Sequence, residues 1–88
     1  MTDFNTAQYA FKNAVNLYND NNLNESIEQL NEILKIHPYH DKSLDLLRII
    51  YIKQNKADKA LKVINKSIEI NKDIKKYLDM KYKLLIYK

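Results

Sequence analysis

Residues 41–70 read DKSLDLLRIIYIKQNKADKALKVINKSIEI, and the order of apolar residues within them sets the architecture. Leu44, Leu47, Ile50 and Tyr51 recur at three- and four-residue spacing, as do Leu61, Ile64 and Ile68, which is the period of a helix with one apolar face. Asp41 is a candidate cap for a helix running to about Gln54. Asn55-Lys56 reads as a turn, and a further helix follows from about Ala57 to Ile70. A turn this short forces the two helices to lie antiparallel as a hairpin.

The same period extends in both directions. Upstream, a first helix is predicted from about Asp3 to Asn19, capped by Thr2 or Asp3. Asn22-Leu23-Asn24-Glu25 has the form of a capping box, in which the Asn22 side chain accepts from the amide of residue 25 and Glu25 reaches back, so a second helix begins there. Pro38 stops that helix near Ile36, because a residue preceding proline is driven out of helical geometry. Downstream, Asp73 caps a fifth helix that reaches nearly to the C-terminus.

Glycine is absent from the 88 residues. A fold with many tight turns needs residues that tolerate a positive φ, and glycine is the usual one, so its absence argues against sheets and hairpin loops. Asparagine is the next most tolerant residue, which makes Asn21, Asn22, Asn55 and Asn71 the candidates for left-handed positions at helix ends.

Shifting the sequence by 34 residues superimposes its apolar skeleton. Ala10 falls on Leu44 and Leu78, and Leu17 on Tyr51 and Leu85. Ile27 falls on Leu61, Leu30 on Ile64, Leu34 on Ile68 and Ile36 on Ile70. Small Ser26 meets Ala60, and Asn21 meets Asn55 at the hairpin turn. A 34-residue period with two helices per unit resembles the tetratricopeptide repeat. The second unit, about 41–74, carries the resemblance in Leu44, Leu47, Tyr51, Ala60 and Ile64. The first, about 7–40, carries it in Ala10, Ala14, Leu17, Ser26, Leu30 and Pro38. Residues 75–88 repeat only the first helix, through Leu78, Tyr82 and Leu85, and look like the helix that closes such arrays. Arg48 and Tyr82 depart from the pattern by standing where a small residue lets paired helices approach, as does Lys72 in the place of the proline. The resemblance implies one domain over residues 1–88: an all-α fold of five antiparallel helices in a short right-handed superhelix.

Length and charge bound the function. A chain this short buries only roughly 60 to 65% of its unfolded surface, so a thin core is expected. With no cysteine, neither a disulfide framework nor a thiolate metal site is available, and a reducing cytoplasm suits the composition. The longest purely apolar runs, Ile49–Ile52 and Leu84–Tyr87, are only four residues each, and neither a signal peptide nor a membrane span is predicted. Residues 1–37 hold two lysines against five acids, net −3, whereas the remainder holds thirteen basic against six acidic side chains, net +7. That polarity favours an acidic partner at the C-terminal half, or head-to-tail contact between copies. His37 and His40 flank Pro38 with no organised neighbours for catalysis or metal binding beyond Asp41, so neither an enzyme nor a cofactor or metal site is expected.

The resemblance also implies a protein- or peptide-binding scaffold whose first helices line a concave groove. Carried onto this chain, the family's groove pattern selects Gln8, Phe11, Lys12, Val15 and Tyr18 from the first helix. It adds Lys42, Leu46, Ile49, Ile52 and Lys53 from the third, and Lys76, Met80 and Lys83 from the fifth. The groove is then apolar in the middle with lysines at its rim, which suits an amphipathic or extended apolar segment bearing acidic residues. A subset of the family clamps C-terminal carboxylates with basic residues. Here the corresponding positions are Phe11, Val15, Leu46, Lys76 and Met80, so only one cation is kept and that ligand is disfavoured. Met80, Ile86 and Tyr87 broaden the apolar face of the fifth helix beyond one contact stripe, which points to a homodimer or a self-associating structural subunit. Lys53, Lys56, Lys59, Lys62 and Lys66 beside Tyr51 make nucleic acid the rival ligand. Near absence of arginine counts against base readout.

Overall fold

The structure, a computed structural model, describes residues 3–70 and 74–86, with side chains over 6–70 and 76–86. Its elements are α1 (Asp3–Asn19), α2 (Leu23–Ile36), α3 (Asp41–Lys53), α4 (Ala57–Ile70) and α5 (Ile74–Ile86). No strand occurs among the described residues, and the chain is all-α. Helix bounds follow the apolar periodicity closely. α3 ends one residue before the expected Gln54, which is its C-cap, a difference within the fraying of helix ends. The expected cap Asp73 and the expected left-handed Asn71 lie outside the described residues.

Short turns fold each helix back on the last. α1 packs on α2, α3 on α4 and α4 on α5, while α3 also meets both α1 and α2. The first hairpin and α5 therefore stand at opposite ends of the packing order.

Both tight hairpin turns close in the same way. Asn21 has φ 65° and Asn55 has φ 61°, the left-handed geometry that asparagine tolerates in place of glycine. Around the first, the Asn21 N–H donates to the Tyr18 carbonyl at 2.9 Å and the Asn22 N–H to the Leu17 carbonyl at 2.8 Å. Around the second, the Asn55 N–H donates to Ile52 at 3.0 Å and the Lys56 N–H to Tyr51 at 2.8 Å. These are the paired bonds of a Schellman motif, which satisfies the last carbonyls of a helix. Donors and acceptors alike are 34 residues apart.

Two expected caps are corrected. Asn22 precedes α2 but makes no side-chain cap bond, and its φ of −89° and ψ of 69° are not extended. Its N–H already closes the end of α1 and its carbonyl accepts from Ser26 at 3.0 Å, so its backbone serves two helices and the capping box does not form. Nor is Asn22 left-handed. At α3 the cap is His40 rather than Asp41: the backbone is extended there and the ring Nδ1 accepts from the Ser43 N–H at 3.2 Å. Asp41 becomes the first residue of α3, where its negative charge faces the positive end of the helix dipole.

The core collects Ala14, Leu30, Ile33, Leu44, Leu47 and Ile50, with Phe11, Val15, Tyr18 and Ile27 half-buried against it. Ser26 is fully buried at the crossing of α1 and α2, where its Oγ donates to the Ala14 carbonyl at 2.8 Å. Ala60 is likewise fully buried on α4. Arg48 stands 34 residues after the small Ala14, and its guanidinium lies 3.9 Å from Asp45 one turn earlier on the same helix. Tyr77, the largest fully buried side chain among the described residues, anchors α5.

Candidate partner-binding groove

The first turn of α3 begins beside the middle of α1, because the Pro38 turn returns the chain to that helix. The juxtaposition opens a cleft of about 570 Å³ lined by Gln8, Phe11, Lys12 and Val15 of α1 and by His40, Asp41 and Lys42. Its volume falls within the roughly 300–1,000 Å³ range of binding sites. Phe11 forms part of the wall and meets the His40 ring at 5.9 Å in a tilted arrangement. Lys12 and Lys42 are exposed at the rim, one from each helix.

Five of the groove residues predicted from sequence, Gln8, Phe11, Lys12, Val15 and Lys42, therefore line one cleft. A second pair meets farther along the same two helices, where the Lys53 ammonium lies 5.0 Å from the centre of the Tyr18 ring. Such a cation–π contact is worth about 0.5–1 kcal/mol at an exposed site. Between the two, Leu46 is buried and belongs to the core, so it is floor rather than contact surface. Ile49 and Ile52, at 39% and 43% exposure, keep an apolar edge open. Met80 is half-buried and Lys83 exposed, but neither lines a described cleft with the others. Lys83 lies 3.5 Å from Asp79, one turn earlier on its own helix. The Lys76 charge of the fifth helix acts weakly on Asp45 of the third, and among the described residues the two helices do not pack on each other.

The electrostatics of this strip are set by burial. Asp45 is pushed above the ordinary carboxylate range by burial first and by the Asp41 charge second, with Arg48 and Lys76 opposing. At 3.9 Å the Arg48–Asp45 pair is too long for a hydrogen bond, and Asp45 Oδ1 and Arg48 Nε are buried without hydrogen-bond partners. His40 is held below its ordinary value by burial first, then by His37 and Lys42, with Asp41 opposing. Its neutral form is also what the cap requires, since Nδ1 must accept from the Ser43 N–H. The Ser43 Oγ lies 2.7 Å from the same nitrogen.

Sequence reasoning overlooks His40, which is both a wall of the cleft and the cap of α3. The signal was present as a ring acceptor three residues ahead of Ser43, but Asp41 offered a stronger capping residue one position later. Among the described residues no group of three or more His, Cys, Asp or Glu side chains is placed to hold a metal ion, and no helix is long and apolar enough to cross a membrane. Comparisons with protein-family models, curated proteins and solved structures found no match in any of the three.

Proposed function

We propose that this chain is a non-enzymatic, tetratricopeptide-like interaction module that holds a protein or peptide segment between its first and third helices. The observation that carries the reading is the α1–α3 cleft, where Phe11 and Val15 supply apolar contact and Lys12 and Lys42 supply positive charge from opposite sides. The ligand of best fit is an apolar or amphipathic segment with acidic residues at its edges: the apolar wall provides affinity and the lysines steer the encounter. The family reading is supported by the 34-residue correspondence of the two Schellman turns and of buried Ser26 with buried Ala60.

The basic α3–α4 hairpin favours nucleic acid less. Lys59 lies over the Tyr51 ring at 5.7 Å and Lys66 over the Tyr39 ring at 5.3 Å, so lysines cover aromatic faces on which bases would stack.

The test is affinity capture from the native source with the wild-type chain and with Lys12→Glu/Lys42→Glu, both exposed positions whose reversal leaves the core untouched. Partners that bind the wild type and are lost with the variant support the groove. An unchanged set of partners, with both proteins folded by circular dichroism, would sink it.

A further inference from the structure

The two ends of the helix stack are unlike each other, and they are complementary. At the first hairpin, α1 and α2 leave a notch of about 240 Å³ lined by Thr6, Ala7 and Ala10 of α1 and by Glu32, Ile33 and Ile36 of α2, with His37 closing it. Ile36 in its wall is 65% exposed, and Tyr9, on the same helix as Thr6, Ala7 and Ala10, is 74% exposed. The volume lies under the roughly 300 Å³ lower bound of small-molecule sites, so an inserted side chain suits it better than a free ligand. At the other end, α5 projects Tyr82, Leu85 and Ile86, at 59%, 48% and 73% exposure. One end offers holes and the other knobs.

Repeat arithmetic explains why each end is open. Tyr9, Ser43 and Tyr77 are equivalent under the 34-residue shift. Ser43 and Tyr77 are buried and Tyr9 is not, because among the described helices only α1 has no hairpin packed before it. Ala14, Arg48 and Tyr82 are equivalent in the same way. The first is fully buried, the second has a side chain only 17% exposed, and Tyr82 stands open because α5 has no hairpin partner among the described helices.

Charge decides what covers these surfaces. α2 carries three glutamates against one lysine, net −2, and α5 carries four lysines against one aspartate, net +3. Pairing two α5 helices about a two-fold axis brings like charges together, as does pairing two α2 faces. Pairing the α5 end of one copy with the first hairpin of another brings opposite charges together and sets apolar knobs against apolar holes.

We propose that this protein associates with itself head to tail, the α5 end of one copy docking on the outer face of the α1–α2 hairpin of the next. The contact is heterologous, so it propagates into short open chains unless the rotation between copies closes a ring. It uses surfaces separate from the α1–α3 cleft and does not depend on what that cleft binds.

Sedimentation of three proteins decides the matter: the wild type, Ile36→Lys at the hairpin end and Tyr82→Glu at the α5 end. Both substitutions fall on exposed side chains, and far-ultraviolet circular dichroism verifies that each variant remains helical. At low salt the wild-type mass should rise with concentration beyond a dimer, and about 0.5 M salt should weaken the association several-fold by screening. Each variant alone should stay monomeric at concentrations where the wild type assembles. An equal mixture of the two should form a species that stops at two chains, because each supplies the end the other lacks. A wild type that stays monomeric to about millimolar concentration at low salt overturns the proposal. So does assembly of Ile36→Lys at the wild-type level, which indicates two-fold pairing through α5, or a mixture that remains monomeric.

Discussion

Tyr9 and Tyr77 are the same residue type, two steps of the 34-residue shift apart, and they sit in opposite environments: 74% exposed on α1 and 1% exposed on α5. Neither local sequence nor helix propensity distinguishes them. What differs is the packing around each: α5 meets α4, whereas α1 meets α2 and α3 and no described helix covers its Tyr9 face. In a stack of hairpins, burial is a property of position in the array, and equivalent residues change role at its ends. The interior of the stack is core and the ends are surface, although the sequence writes both in the same apolar alphabet.

The largest expected effect tests that contrast directly. Tyr77→Ala removes a fully buried aromatic side chain and should destabilise the chain by about 3–5 kcal/mol, enough to unfold much of a domain this small. Tyr9→Ala should cost less than about 0.5 kcal/mol, as for an ordinary surface substitution. Urea unfolding of both variants reads the difference, and equal losses would break the comparison.

A second pair sharpens the equivalence of the interior positions. Ser26→Leu and Ala60→Leu each force a large side chain into a fully buried helix crossing, and each should cost about 1–3 kcal/mol or more through overpacking. The Ser26 change is expected to be the more harmful, because it also removes the hydrogen bond to the Ala14 carbonyl. Indifference at either site, measured by thermal unfolding, would show that the helices do not meet there.

Smaller effects belong to the turns. Asn21→Ala and Asn55→Ala place an alanine where φ is positive, at a cost of about 1–2 kcal/mol each. The two values should agree closely, since the turns share one hydrogen-bond pattern. A more than twofold difference between the two losses, read from their urea midpoints, would argue that one turn is not as described.

The smallest expected effect is a dependence on pH. His40 is held below its ordinary value of 6.5 in the folded chain, so as pH falls the unfolded chain takes up the proton first. The stability this neutral ring contributes is complete above about pH 6.5 and is lost as pH falls through the folded value. His40→Asn keeps a capping acceptor and does not titrate. The gap between wild-type and His40→Asn stability should therefore shift against the wild type between neutral and mildly acidic pH. A constant gap would remove the capping role.

Much of the fold is legible in the sequence because its signals are periodic or punctual. Three- and four-residue spacing locates five helices, Pro38 ends α2, and in a chain without glycine an asparagine between two helices marks the left-handed turn. What escapes is contextual. Asn22 and Glu25 match a capping box, yet the backbone of a two-helix turn is already committed to closing α1. Asp41 is the better cap by residue type, but His40 holds the extended backbone that a cap needs. Leu46 shares helical spacing with groove residues but lies in the core cluster, against which Phe11, Val15 and Tyr18 are also packed. Exposure of Tyr9 and Tyr82 reflects that no described helix packs over them, which no local pattern encodes.

Labelling of the tyrosines by nitration, read residue by residue by mass spectrometry, tests most directly the claim that equivalent positions are covered inside the stack and open at its ends. At low protein concentration Tyr9 and Tyr82 should react first. Tyr51, whose pKa burial raises, should lag, since the phenolate is the reactive form. Tyr77 should react only as fast as the whole chain unfolds. Modification of Tyr77 at the rate of Tyr9, under conditions where the helical signal is intact, would contradict the stacked arrangement.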